Sequence, residues 1–125
     1  MNKPKFFGAL FSLLAVIIGA FNSHALKKIL PESAIESIEV AVRYMMYHGL
    51  ALLILSILSL KEKKHVANLF IFGTILFSFS ILFLSFQSMI NIKVNWLGPI
   101  TPIGGSFLIF GWILLFYRFI REKHN

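Results

Sequence analysis

The sequence predicts an all-α integral membrane protein: a four-helix bundle with a short amphipathic helix between its first two spans. Three observations predict it. Of 125 residues, 58% are hydrophobic and 14% charged, against about 25% charged in an ordinary soluble domain. Mean hydropathy is +0.82, more apolar surface than so short a chain can hide from water. Four uncharged stretches, Phe6–Ser23, Tyr44–Leu60, Val66–Ile92 and Val94–Tyr117, approach or exceed the roughly 20 residues that cross about 30 Å of hydrocarbon. One membrane domain follows, with spans at 6–25, 43–60, 67–88 and 99–118 and the amphipathic helix at 31–42.

The charge pattern orients the bundle and excludes a nucleic-acid partner. The net charge is +7, but the basic residues flank hydrophobic runs and form no stripe interleaved with exposed aromatics. Lys and Arg number eight across the two termini and the 61–65 loop, and four across the other two loops. By the positive-inside bias both termini are expected in the cytoplasm of a bacterial cell, with the bundle in the plasma membrane. The chain has no cysteine and no aspartate, which removes disulfides, thiolate nucleophiles and Cys-ligated metals.

The first span carries Gly8, Ser12, Ala15 and Gly19 at helical spacing, a small-residue face that lets another helix backbone approach closely. Its basic start and Ser23-His24-Ala25 also read as a signal peptide cleaved after Ala25. The packing face favours retention, because a discarded peptide has no use for one. Next, "PESAIESIEVAVR" places Ile35, Ile38, Val42 and Met45 on one face and Glu32, Glu36, Glu39 and Arg43 on another, as expected of a helix lying on the membrane surface.

Span two opens with Arg43, Tyr44, Tyr47 and His48. Tyr and Arg there are interface anchors, whereas a neutral imidazole about one turn deeper needs a partner. His24, Asn22, Thr101 and the backbone near Pro102 are the expected ones. Span three carries Thr74, Ser78, Ser80, Ser85 and Ser88. Span four opens with "GPITPIGG", in which Gly104 and Gly105, with Gly111 beyond, permit close helix contact. This opening is read as a tight helix entry, with a broken helix beside a binding pocket as its alternative. His65 and His124 fall in basic segments and are expected to be solvated.

The candidate polar cluster is therefore Asn22, His24, Arg43, Tyr44, Tyr47, His48, Ser78, Ser80 and Thr101. A pair of imidazoles, His24 and His48, is the pattern that would ligate haem iron axially or begin a metal site. No third imidazole or carboxylate lies within the spans, so the expectation is no metal and no cofactor, with haem or quinone binding kept as an alternative.

"GAFNSHALKK", "YMMYHGLALL", "LFSFS" and "ITPIGGSFLIFGW" resemble, in order, the motifs of the small YgdD/YwdK-type bacterial membrane proteins, an uncharacterised family with a human transmembrane relative. The family pattern runs approximately GAFGAH, YQxxH, LFSGS and TPxGG…GW. His24, Tyr44, His48, Ser78, Ser80, Thr101, Pro102, Gly104, Gly105, Gly111 and Trp112 match it. Asn22-Ser23, Met45 and Phe79 stand where the family has Gly-Ala, Gln and Gly. The resemblance implies four spans with an uncleaved first helix, and it implies no reaction.

With no catalytic constellation in view, the functional expectation is a non-enzymatic helical module. It would self-associate or support a membrane complex, with the lipid bilayer and a homo-oligomer or membrane-protein partner as its surroundings. A small transporter or channel subunit with an outer polar pocket is the alternative.

Overall fold

The computed structural model describes residues 2–122; Lys123 and His124 lie outside the described residues. Helix α1 (Lys3–Ser23) is capped by the Asn2 side chain, which accepts from the Lys5 N–H at 3.1 Å, one of the donors a helix start leaves unpaired. A 3₁₀ turn (Leu26–Lys28) leads to Pro31 and α2 (Glu32–Ile57). The third span is built from α3 (Lys63–Thr74), a π-helical turn (Ile75–Phe79) and α4 (Ser80–Ile90). After Asn91 in the left-handed conformation and a second 3₁₀ turn (Asn95–Leu97), α5 (Ile100–Glu122) completes the chain. The result is four helices long and apolar enough to cross a membrane.

One expectation changes, and one choice between alternatives goes to the favoured reading. The amphipathic segment expected at 31–42 is helical, but it runs without a break into span two. At 1.5 Å per residue this continuous helix is about 39 Å long, and its first turns share the axis of the span, so they do not lie flat on the membrane. Ile35, Ile38 and Met45 instead bury themselves inside the bundle. The Glu39–Arg43 pair, 4.0 Å apart, stays exposed on the other side. At the start of α5, Pro102 falls in the first turn, where a missing N–H costs nothing, and the helix continues through Gly104 and Gly105. "GPITPIGG" is thus a helix entry and not a broken helix.

α1 lies along α2, and α3, the π turn and α4 pack on another side of α2; α5 packs on α3 and the π turn. Gly8 and Gly49 make the first contact close: a Cβ on Gly49 would lie 2.9 Å from the Gly8 carbonyl oxygen, and one on Gly8 would lie 2.8 Å from that of Gly49. Ala15 is buried and Gly19 faces Val42 along the same line. Gly104 and Gly111 do the same for α5, meeting the π-turn backbone at Leu76–Phe77 and the Phe70 ring. In lipid such contacts hold helices together by packing and hydrogen bonds, because the surrounding hydrocarbon is as apolar as the side chains.

The core has two halves. Phe11, Leu52, Leu55, Phe70 and Leu108 fill the half nearer the termini, and Ala15, Leu30, Ile38, Met45 and Leu82 fill the opposite half. At the terminal end, Lys63 donates to the carbonyls of Ser56 (3.2 Å) and Leu58 (2.6 Å), satisfying acceptors at the end of α2. There Glu62 pairs with Arg118.

Candidate functional site

His48 is 3% exposed and sits midway along α2. Its Nε2 lies 3.0 Å from the indole nitrogen of Trp112 on α5, and its Nδ1 lies 2.8 Å from the Tyr44 carbonyl oxygen. An indole N–H only donates and a carbonyl only accepts. The imidazole is therefore neutral, with its proton on Nδ1, and both ring nitrogens are engaged. Phe70 stands edge-on to the imidazole at 5.2 Å and tilted against Trp112 at 4.9 Å, while Tyr44 stacks over the imidazole at 6.0 Å.

This bridge spans a gap. Among the described residues α2 and α5 have no backbone contact, and the space between them is an apolar groove of about 930 Å³. Tyr44, Tyr47, Ala51 and Leu58 form one wall and Gly105, Leu108, Trp112 and Phe119 the other, with Phe77 in the floor. From Tyr44 to Leu58 the groove is about 21 Å long. A second cavity of about 610 Å³ lies toward the opposite end, between the starts of α2 and α5 and the side of α4. Its lining holds the hydroxyls of Ser33, Ser37, Ser85, Ser88 and Thr101 together with Gln87, and no charged residue.

The expected polar cluster does not assemble as one site. His24 is exposed at the end of α1, whereas His48 is buried and committed to Trp112 and Tyr44. The imidazole pair is not brought together, and His48 has no free nitrogen to offer haem or a metal. None of the expected partners of His48 (His24, Asn22, Thr101) is its partner. Asn22, 2% exposed, instead donates to the Ile35 carbonyl at 3.1 Å, tying α1 to α2. Ser78 donates to the Ala41 carbonyl at 2.9 Å, tying the π turn to α2. Ser80 donates to the Phe77 carbonyl, so in its 2.5 Å contact with Thr101 the threonine hydroxyl is the donor. Arg43 points away from the seam, while Tyr44 and Tyr47 line the groove. Gly8, Ser12, Ala15, Gly19, Gly104 and Gly111 all sit in helix contacts, but Gly105 lies in the groove wall with ordinary space over it.

Sequence reasoning left Trp112 out of the cluster. The available signal was its depth: tryptophan concentrates at membrane interfaces, and Trp112 is the thirteenth residue of a 23-residue helix. The π turn gave no such signal, since "ILFSF" reads as ordinary span.

Residues 18–105 match the family described as "Protein of unknown function (DUF423)". The chain belongs to the DUF423 family. Its relatives carry the name "UPF0382 membrane protein". The one from Staphylococcus epidermidis is 40% identical over 111 residues, covering 86% of this chain and 87% of the relative. The one from Haemophilus influenzae is 34% identical over 125 residues, covering 98% and 97%. One from Staphylococcus aureus is 40% identical over 110 residues, covering 86% and 87%. No solved structure matches the chain. The DUF423 match takes in His24, Tyr44, His48, the π turn and Gly104-Gly105, and ends before Trp112.

Proposed function

We propose that this DUF423 chain is a non-enzymatic module of the bacterial plasma membrane, with both termini cytoplasmic, that holds the hydrocarbon chain of one amphiphile in its α2–α5 groove. The observation that carries this reading is the groove itself: about 930 Å³ between two helices whose backbones do not touch, with aliphatic and aromatic walls. Its length of about 21 Å exceeds the roughly 15 Å of one leaflet, so an extended chain fits along it. A helix of a second copy is the poorer occupant. Helices pack in lipid through small residues, and the stripes that motivated self-association, Gly8/Ser12/Ala15/Gly19 and Gly104/Gly111, are spent inside the chain. The polar side chains Asn22, Ser78, Ser80, Thr101 and His48 are likewise engaged in bonds that hold the chain together, which supports a role in binding over one in catalysis. The four ordered motifs support grouping DUF423 with the YgdD/YwdK-type proteins and their human relative.

The test is a titration of the delipidated full-length protein with dioleoylglycerol, read by native mass spectrometry. One lipid is expected to bind with saturation. Gly105→Leu, whose Cβ meets nothing closer than the Phe77 ring at 3.6 Å, fills the groove and should weaken that binding by about tenfold, or roughly 1.4 kcal/mol. Its thermal unfolding midpoint should not change. Equal binding by the wild type and this variant rejects the reading.

A further inference from the structure

Lys3 of α1 and Lys63 and Lys64 of α3 border a cavity of about 300 Å³ at the terminal end of the bundle. It shares no lining residue with the α2–α5 groove. The lining brings together three ammonium groups and no carboxylate. Glu62, the acid next to Lys63 in the chain, is paired with Arg118.

The polar side chains around this cavity are set to donate. The Asn2 side-chain oxygen is taken by the Lys5 N–H at 3.1 Å, and that of Asn68 by the Lys3 ammonium at 3.3 Å. Each amide therefore keeps its NH2 to give. Lys63 spends two of its three N–H groups on the Ser56 and Leu58 carbonyls, while Lys3 and Lys64 are exposed. Three like charges around one space repel each other, and an anion with several acceptor oxygens relieves that repulsion.

The surroundings suit a lipid better than a free ion. A further cavity of about 320 Å³ shares Asn68 with the basic one and is walled by Leu69, Phe72 and Phe107, with His65 also on its lining. Lys64, Asn68 and Phe72 are four apart and follow one face of α3 into the membrane. Phe72, roughly 12 Å from Lys64 along the axis, is 51% exposed. Charge gives way to apolar surface along one helix face, as a phospholipid's head gives way to its chains.

We propose that this corner seats the phosphate of an anionic phospholipid among Lys3, Lys63 and Lys64, with the Asn2 and Asn68 amides donating to it and an acyl chain passing along Phe72 and Phe107. With both termini cytoplasmic, as proposed above, the site faces the leaflet that carries anionic lipids, whose headgroups bind in basic pockets between spans. It is separate from the α2–α5 groove and does not rest on the chain-binding reading.

The test titrates the delipidated full-length protein with dioleoyl phosphatidylglycerol, dioleoyl phosphatidylcholine and inorganic phosphate, read by native mass spectrometry. Phosphatidylglycerol should bind about tenfold more tightly than phosphatidylcholine, whose choline cation opposes the lysines. Lys64→Gln should weaken phosphatidylglycerol about fivefold, the scale of one lysine near an anionic lipid surface, and Lys64→Arg should keep it. Lys28→Gln removes the same charge from an exposed position outside the cavity and should change nothing. Lys3→Gln should repeat the Lys64→Gln result and serves if that variant does not fold. Equal binding of the two lipids, or equal losses in Lys64→Gln and Lys28→Gln, overturns the site. Inorganic phosphate binding as tightly as phosphatidylglycerol, with the same Lys64 dependence, assigns the cavity to the free ion and overturns the lipid. Gly105→Leu should leave phosphatidylglycerol binding intact; its loss there puts the lipid in the α2–α5 groove and overturns this proposal. Failure of dioleoylglycerol to bind overturns only the chain-binding reading.

Discussion

Gly49 and His48 are neighbours on α2, yet they look onto opposite kinds of interface. Gly49 meets α1 so closely that a Cβ would lie 2.6 Å from the Ser12 hydroxyl and 2.9 Å from the Gly8 carbonyl. His48 reaches across to α5 through a single 3.0 Å hydrogen bond, with an apolar groove on its flank. One helix therefore has a face closed by backbone contact and a face held open by side chains. In lipid, which offers helices no hydrophobic reason to associate, the size of the residues at each face decides whether it closes. α2 offers α5 the bulk of Tyr44, Tyr47 and His48, and α5 answers with Leu108, Trp112 and Phe119. The seam stays open because no small residues are paired across it.

The contrast can be broken at five residues. Gly49→Ala carries the largest expected loss, about 3 kcal/mol, because the Gly8 carbonyl oxygen is backbone and cannot step aside. Chemical unfolding in detergent reads it, and a tolerated alanine would mean that the α1 face is not closed. His48→Ala comes next, at roughly 2 kcal/mol, since it strands the Trp112 N–H and leaves a void; a thermal melt checks it. Trp112→Phe should recover part of that loss in the double variant, a coupling that an uninvolved tryptophan would not produce. Ser78→Ala removes one interhelical bond from the π turn to α2, worth about 0.6–1.7 kcal/mol in lipid. Hydrogen exchange at Ala41 and its neighbours should rise only locally. Smallest is Gly105→Ala, expected within about 0.5 kcal/mol of wild type, although its neighbour Gly104 would place a Cβ 2.4 Å from the Phe77 nitrogen. If Gly105→Ala destabilises the protein markedly, the groove wall is closed after all.

Composition and spacing made much of this legible. The uncharged runs announce four spans, and Gly8, Ser12, Ala15 and Gly19 announce a packing face, because small residues repeated at helical spacing have few other uses. Charge placement separates the segments bearing the basic residues from the rest. The candidate site was less legible. His48 was recognisable as a residue in need of a partner, but Asn22, Ser78 and Thr101, the polar groups near it in the linear picture, turned out to bond elsewhere. Backbone carbonyls at Ile35 and Ala41 took two of them, and carbonyls carry no mark in a sequence.

The sequence by itself determined the solvent, the number of spans and the small-residue face of α1. These follow from local quantities: side-chain hydrophobicity, run length and period. Gly49 opposite that face and the open space over Gly105 came only with the structure. Only the tertiary structure decided that α2 absorbs the amphipathic segment, that a π turn sits at Ile75–Phe79, that Trp112 rather than His24 meets His48, and that α2 and α5 stay apart. Each depends on the register and rotation of one helix against another. That relation is settled by packing volume and by which donor finds which acceptor in hydrocarbon, where an unmatched polar group is costly.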